Sequence, residues 1–281
     1  MRTYRLVAFD LDGTLLTSDK QLTDKTRTVL QAAHERGILL VPSTGRFFDG
    51  MPTVVRKLPF VRYAITINGA VVYDREEGRE LSRTMIPWER AIDVYRFLDD
   101  YDLIYDCYDT NGGFMTRAMQ ERAADYAPND YYLERIFTWR KPVEDLKTFL
   151  TEQEKDVAKI QMFFRDMDLR EKLLHELPER FPDLAVATSI SNNIEINHAQ
   201  ATKGVALTKM AAALNIPIEA TVAFGDDLND LSMLEAAGCA VAMGNAKEEV
   251  KRVADIITED NDHEGVACAM EELFKNENAA G

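Results

Sequence analysis

Residues 6–14 read Leu-Val-Ala-Phe-Asp-Leu-Asp-Gly-Thr. The four apolar residues predict a strand buried on both faces of a parallel sheet, where chemistry collects at the carboxyl ends of the strands. Asp10 occupies that end and is a candidate nucleophile. Because Gly13 and Thr14 turn the chain, the carboxylates of Asp10 and Asp12 can converge on one small ligand. Two acids this close repel each other, so keeping both ionised requires a cation, most simply Mg²⁺ with its preference for oxygen ligands.

The composition is that of a globular protein with room for one domain plus an insertion, or for two domains. Of the 281 residues, 46% are apolar and 29% are charged, and both values are ordinary. No apolar run approaches the roughly 18 residues that cross a membrane. The first strand begins near Arg5, which leaves no room for the apolar region of a signal peptide, so the expected location is cytoplasmic. Three widely spaced cysteines suit reduced thiols.

The charge of the chain restricts its partners. The net charge is −15, from 48 acidic and 33 basic residues, which disfavours binding to nucleic acid or to an anionic membrane. Such a surface would also repel a phosphorylated substrate. Local cations must therefore reverse the sign at any phosphate-binding site. The sequence indicates no particular oligomeric state.

The two ends of the chain share an alternation of strands and helices that indicates βαβ units. We expect residues 1–82 and 190–281 to be two parts of one α/β core, a doubly wound, mostly parallel, Rossmann-like sheet. Residues 83–189 contain both tryptophans and have longer loops, and they predict an inserted α+β domain. The predicted core strands include 6–9, 38–41, 63–67, 194–197, 221–224 and 240–243.

Two segments that follow predicted strands could bind phosphate. The segment Pro42-Ser-Thr-Gly-Arg46 offers the hydroxyl of Thr44 and the amide of Gly45 to phosphoryl oxygens at a helix entrance. Lys203 lies at the start of another predicted helix. Its ammonium, together with the helix amino end, would lie where the pentacoordinate phosphorus bears negative charge.

The segment Gly225-Asp-Asp-Leu-Asn-Asp230 supplies further acids. Asp226 and Asp230 are four residues apart, so at a helix start they share one face and can hold a metal and its waters. Together the segments predict a phosphoryl-transfer site. In that site acids bind the metal, the metal and Lys203 neutralise the substrate, and one carboxylate attacks in line.

As a set, these segments resemble the four motifs of the haloacid dehalogenase superfamily of phosphatases. The resemblance spans both outer thirds of the chain and is closest to the Cof-type branch, which keeps a large α/β cap between the second and third motifs. The four matching segments are Asp-Leu-Asp-Gly-Thr at 10–14, Thr44, Lys203 and Gly225-Asp226; the Cof-type match rests on Asn68-Gly69-Ala70, Asn229-Asp230, Gly244-Asn245 and Gly265-Val266-Ala267.

The resemblance implies a role for each matching residue. Asp10 would be the nucleophile that forms an aspartyl-phosphate, and Asp12 the general acid and base that protonates the leaving alcohol and then activates water. Asp10, the backbone carbonyl of Asp12 and Asp226 would bind Mg²⁺, with Asp230 supporting them. The residues implied to hold the phosphate are Leu11, Thr44, Gly45, Lys203 and Asn229.

Several neighbouring residues admit more than one interpretation. Arg46 could form a salt bridge at a helix start or contact the substrate. Asn68 and Gly69, at the catalytic edge of the predicted sheet, are candidates to face the substrate. Ser43 and Asp227 stand where small residues such as alanine, glycine or serine are more usual in the family, and Asp227 adds negative charge beside the metal.

We therefore predict a Mg²⁺-dependent phosphatase that hydrolyses a small phosphomonoester such as a sugar phosphate. The inserted domain would act as a mobile cap that excludes water and selects the substrate, because the core binds only the phosphoryl group. Two alternatives remain. A phosphomutase of the same superfamily would return the phosphoryl group to another hydroxyl, and a non-catalytic phosphate sensor resembling a response-regulator receiver would bind phosphate without the acid-base residue and the cap.

Overall fold

Two compact units make up the structure, a computed structural model that describes residues 3–278, with side chains described as far as Lys275. The core unit combines the two ends of the chain, up to Arg83 and from Thr202 onward, and the inserted unit comprises Thr84–Ala201. The insertion therefore ends at Ala201, whereas the sequence predicted an end at residue 189. The reason is a strand at Asn193–His198, which pairs with two strands of the inserted unit.

The described strands are two to six residues long, and the described α-helices are four to 14 residues long. None of the described helices is long and apolar enough to cross a membrane. The strands are β1 (Leu6–Phe9), β2 (Leu39–Pro42), β3 (Tyr63–Thr66), β4 (Val71–Asp74), β5 (Arg79–Arg83), β6 (Ile104–Tyr108), β7 (Gly113–Thr116), β8 (Arg140–Val143), β9 (Lys159–Phe163), β10 (Leu184–Ala187), β11 (Asn193–His198), β12 (Thr221–Gly225), β13 (Cys239–Ala242) and β14 (Ile256–Ile257). The α-helices are α1 (Asp24–Glu35), α2 (Thr53–Arg56), α3 (Trp88–Leu98), α4 (Arg117–Glu121), α5 (Asp130–Trp139), α6 (Leu146–Gln153), α7 (Met167–Arg180), α8 (Lys203–Ala213), α9 (Leu231–Ala236), α10 (Glu248–Val253) and α11 (Gly265–Asn278).

The core unit is built on a five-stranded parallel sheet in the order β14-β13-β12-β1-β2. The chain proceeds from β1 to β2 in one direction and from β12 to β14 in the other, so the strand order reverses between β1 and β12, where ligands bind in such sheets. The end of β1 is fixed there, because the Asp10 amide donates to the Phe224 carbonyl at 3.1 Å and the Ser43 amide donates to the Phe9 carbonyl at 2.8 Å. The predicted doubly wound α/β core is confirmed.

The third predicted core strand does not continue this sheet. β3 instead begins an antiparallel sheet with β4 and β5, because a turn at Asn68 and Gly69, with φ of 56° and 96°, folds the chain back into a hairpin. A single bridge between Ser43 and Ile65 joins β3 to the chain after β2. The Asn68 amide donates to the Thr44 carbonyl at 3.1 Å. The hairpin turn is thereby held next to the end of β2.

The inserted unit is an α+β body on a six-stranded sheet in the order β10-β11-β9-β6-β7-β8. One face packs apolar side chains, such as those of Ile160 and Ile194, together with residues of α3, α6 and α7. The opposite face has buried polar residues, including Asp106 and Arg140, whose Nε and Oδ2 atoms are 2.8 Å apart. The strand predicted at 194–197 as part of the core is β11, an interior strand of this sheet.

Two fragments test the boundary at Ala201. Because β11 lies between β9 and β10, a fragment that ends at residue 189 lacks an interior strand, whereas one that ends at Ala201 retains it. We expect residues 84–201 to unfold cooperatively on heating and to give dispersed amide NMR signals, and residues 84–189 to do neither. Equal folding of both fragments would contradict an essential place for β11 in the inserted unit.

Candidate active site

A buried lysine joins two of the predicted acids. Nζ of Lys203 lies 2.6 Å from Oδ1 of Asp10 and 2.6 Å from Oδ1 of Asp230. Lys203 is the first residue of α8 and its side chain is fully buried, while the N-cap Thr202 accepts a hydrogen bond from the amide of Val205 at 3.2 Å. A cation at a helix amino terminus is unfavourable to the helix dipole. The two carboxylates supply the compensating negative charge.

The acids of this cluster outnumber its buried cation. One carboxylate oxygen from each of Asp10, Asp226 and Asp230 lies within 4.8 Å of the other two. Burial raises the pKa of Asp10 to about 8 against the opposing charge of Lys203, and burial raises the pKa of Asp226 to about 6. Burial alone lowers the pKa of Lys203, but Asp10 and Asp230 raise it above its usual value. The cluster therefore has room for a further cation.

Both carboxylate oxygens of Asp230 are already engaged. Oδ1 is held by Lys203, and Oδ2 accepts the backbone amides of Asp226 and Asp227 at 3.0 and 3.1 Å. These bonds fold the loop after β12. Oγ1 of Thr14 donates to Oδ1 of Asp226 at 2.6 Å and fixes that carboxylate beside the loop after β1. Asp230 thus supports the loop, and Asp226 is the member better placed to bind a metal directly.

Gly13 is required by the close approach of Asp226. Its φ is +90°, and a Cβ at this position would lie 2.4 Å from Oδ2 of Asp226. Nδ2 of Asn245 donates to the Gly13 carbonyl at 2.9 Å. Any larger residue at position 13 would strain the backbone and displace the Asp226 carboxylate.

Asp12 is held by two cations. Arg46 donates to Oδ2 of Asp12 from Nε at 3.0 Å and from Nη2 at 2.8 Å, and Nη2 also donates to Oδ1 at 3.0 Å. Nζ of Lys20 lies 3.0 Å from Oδ1. Burial acts to raise the pKa of Asp12, but Arg46 and Lys20 outweigh it and hold the pKa below its usual value. Of the two interpretations of Arg46, the salt bridge is the one that the structure contains.

Thr44 and Gly45, two of the residues predicted to bind phosphate, lie in the loop after β2. Thr44 is buried, and its hydroxyl accepts the amide of Arg46 at 3.3 Å. Gly45 approaches Asn68 so closely that a Cβ would lie 2.8 Å from Oδ1 of Asn68. The same oxygen accepts from Nδ2 of Asn229 at 3.4 Å. The loops that follow β2, β3 and β12 therefore converge at this point.

Gly69 and Leu11 contribute backbone positions. A Cβ on Gly69 would lie 2.2 Å from the carbonyl oxygen of Thr202, so only glycine lets the hairpin turn reach the start of α8. Leu11 is fully buried, and its carbonyl accepts the amide of Leu16 at 2.9 Å. Leu11 can therefore offer a phosphate group only its backbone amide.

Three features of the site were not predicted from the sequence. Lys20 had no predicted role, because its approach to Asp12 depends on how the turn after β1 folds. The extra charge of Asp227 is offset by Nζ of Lys247 at 2.5 Å, and Asp227 also accepts the amide of the residue that follows it. Oγ of Ser43 is buried without a hydrogen-bond partner among the described residues.

The chain is similar to known proteins over nearly its whole length. Residues 7–270 match the family model for haloacid dehalogenase-like hydrolases. Phosphatase YwpJ of Bacillus subtilis is 34% identical over 96% of this chain and 100% of its own length, and pyridoxal phosphate phosphatase YbhA of Escherichia coli is 32% identical over 94% and 97%. The solved structure of a haloacid dehalogenase-like hydrolase from B. subtilis has a TM-score of 0.78 at 34% identity and covers 96% of this chain and 99% of its own.

Replacing Lys203 tests the charge balance of the site. Lys203→Met should lower the free energy of unfolding of the metal-free protein by about 3–5 kcal/mol at about pH 9, because it leaves Asp10 and Asp230 buried without their cation. With Lys203 present the pKa of Asp10 is about 8, and without Lys203 that pKa should rise further, so Asp10 carries a proton in both proteins near pH 6 and the loss should be smaller there. Urea unfolding at both pH values measures this difference.

The matched control is Lys25→Met. It removes an exposed pair in which Nζ of Lys25 lies 3.3 Å from Oε2 of Glu264, and it should change the free energy of unfolding by less than about 1 kcal/mol at either pH. A loss in Lys203→Met that did not vary with pH would contradict the assigned charge balance.

Proposed function

Because this chain belongs to the haloacid dehalogenase-like hydrolase family and its relatives are phosphatases, we propose that it hydrolyses small phosphomonoesters with Asp10 as nucleophile and Mg²⁺ as cofactor. The observation that carries the proposal is the cluster of Asp10, Asp226 and Asp230 around Lys203 at the end of β1. Phosphoryl transfer needs an attacking oxygen, cations around the phosphoryl oxygens and an acid for the leaving group. The cluster and the adjacent Asp12 supply a group for each requirement.

The reaction proceeds in two steps. In the first, an oxygen of Asp10 attacks phosphorus, the bond from phosphorus to the substrate oxygen breaks, and Asp12, which must first take up a proton because Arg46 and Lys20 favour its ionised form, donates that proton to the departing oxygen. In the second, Asp12 removes a proton from water, the water oxygen attacks phosphorus, and the bond to Asp10 breaks to release inorganic phosphate. Lys203 holds Oδ1 of Asp10 at 2.6 Å and so limits the rotation of the attacking carboxylate.

The acid cluster suits a small divalent cation. Its carboxylates are hard oxygen donors with excess negative charge, and burial has raised the pKa of two of them. We assign Mg²⁺ to Asp10, Asp226 and the backbone carbonyl of Asp12. Asp230 supports these ligands through the loop, because both of its oxygens are already bonded. Bound there, Mg²⁺ would neutralise phosphoryl charge and so reduce its repulsion by the acids.

The substrate in this proposal is a small phosphorylated metabolite, with sugar phosphates as the first candidates. The relative from E. coli is named for pyridoxal phosphate, which is also small and carries one phosphate ester. That the inserted unit acts as a substrate-selecting cap stays a prediction. A cytoplasmic location also stays a prediction. The residues proposed to hold the phosphoryl group are Leu11, Thr44, Gly45, Lys203 and Asn229.

A phosphate-release assay tests this function. The protein should release inorganic phosphate from some members of a panel of sugar phosphates, nucleotides and pyridoxal phosphate. Removal of divalent metal with EDTA should abolish release, and added Mg²⁺ should restore it. Asp10→Asn should lower kcat by about 10³-fold or more, because a neutral amide oxygen is a poor nucleophile.

The matched control for Asp10→Asn is Asp49→Asn, an exposed acid of the core unit that is bonded to Arg56. This variant should keep the wild-type rate. Two results would contradict the proposal: wild-type phosphate release by Asp10→Asn, or an isomerised sugar phosphate as the product in place of free phosphate, which would indicate a phosphomutase.

A further inference from the structure

We propose that Arg46 is a positioning residue that orients the carboxylate of Asp12 for proton transfer, with Lys20 as a second and weaker contact. The inference rests on the proposed function, in which Asp12 protonates the leaving group. Arg46 then acts through Asp12 and contacts neither phosphorus nor the leaving oxygen. This role differs from the substrate contact that the sequence left open for Arg46.

The contact of Arg46 with Asp12 involves both carboxylate oxygens. Nε and Nη2 reach Oδ2 at 3.0 and 2.8 Å, and Nη2 reaches Oδ1 at 3.0 Å. A planar guanidinium that contacts both oxygens fixes the rotation of a carboxylate as well as its position, which a single ammonium cannot do. The two side chains are 18% and 33% exposed, so solvent screens the pair only in part. The rotation of the Asp12 carboxylate is therefore fixed before a substrate arrives.

The backbone of Arg46 is fixed by the same loop that is proposed to bind phosphate. Its amide donates to Oγ1 of Thr44 at 3.3 Å, and its carbonyl accepts the amide of Ile67 at 3.0 Å. Thr44 is one of the residues assigned to the phosphoryl group. One loop thus sets both the position of phosphorus and the direction of Asp12, so the acid and the leaving oxygen are aligned together.

Lys20 reaches Asp12 from the turn that follows β1. Its φ is 60°, a left-handed conformation that is costly for a residue with a side chain and that marks functional sites in many proteins. The turn closes where the Lys20 amide donates to the Thr17 carbonyl at 2.8 Å, and the amide and hydroxyl of Ser18 anchor it on Asp262 at 2.8 and 2.7 Å. The half-exposed ammonium of Lys20 adds positive charge beside Asp12, but it does little to fix the orientation of the Asp12 carboxylate.

Comparing two leaving groups shows whether Arg46 positions the general acid or has another role. p-Nitrophenolate departs without a proton, whereas an alkoxide requires one from a general acid. If Arg46 aims Asp12, its removal slows phosphoryl transfer from an alkyl phosphate much more than transfer from p-nitrophenyl phosphate. A residue that binds the phosphoryl group or supports the fold would slow both transfers alike.

The experiment is rapid-quench kinetics with Mg²⁺-loaded enzyme in excess over p-nitrophenyl phosphate or over an alkyl phosphate from the wild-type substrate panel. For R46M we expect a loss of about 100-fold with the alkyl phosphate and of less than about fivefold with p-nitrophenyl phosphate. R46K restores the charge without the planar fork and should recover only part of the alkyl phosphate rate. K20M should show the same dependence on the leaving group with a smaller loss.

The matched control is R62M. Arg62 contacts Asp74 with the same kind of fork, Nε to Oδ1 at 3.1 Å and Nη2 to Oδ2 at 2.9 Å, and it lies outside the site. This variant should leave both rates unchanged. If R46M does not fold, R46K decides the result. Equal losses with both substrates would overturn this inference and leave the proposed function intact, whereas a wild-type protein that hydrolyses neither substrate would overturn both.

Discussion

One buried ammonium holds the carboxyl edge of the core sheet together. Three carboxylates within 4.8 Å of one another are unfavourable in a buried position unless positive charge accompanies them. Lys203 supplies that charge to Asp10 from the end of β1 and to Asp230 from the loop after β12. It therefore connects two strand ends and the start of α8 at one point. The negative charge left over is what the proposed Mg²⁺ would balance.

Four aspartates of the site occupy unlike environments. Burial raises the pKa of Asp10 and Asp226, while two cations lower that of Asp12. Both carboxylate oxygens of Asp230 accept hydrogen bonds, one from Lys203 and the other from two backbone amides. In the proposed mechanism the four act as nucleophile, metal ligand, acid-base group and loop support, and bound Mg²⁺ would favour the ionised form of Asp10. This division of roles suits the phosphatase chemistry of the family.

The sequence predicted that Asp10, Thr44 and Asp226 lie close together, because each follows a short apolar run and the strands of a parallel sheet end at the same edge. It did not predict which sheet β11 joins, since an apolar alternation looks the same in either unit and the partner is chosen by long-range pairing. The Asn68-Gly69 pair does indicate the hairpin of β3 and β4, but not that β3 stands outside the parallel sheet. The contact from Lys20 was missed because it depends on a left-handed turn that contains no glycine at that position.

The proposed mechanism requires that Asp10 becomes phosphorylated. Because Asp12 activates water in the second step, Asp12→Asn should release the phosphoryl group slowly once it has been transferred. Reaction of this variant with p-nitrophenyl phosphate and Mg²⁺, followed by an acid quench and peptide mass spectrometry, should yield the peptide that contains Asp10 with phosphate on that residue in near-stoichiometric amount. Phosphate on another residue, or turnover with no phosphorylated peptide at any quench time, would contradict Asp10 as the nucleophile.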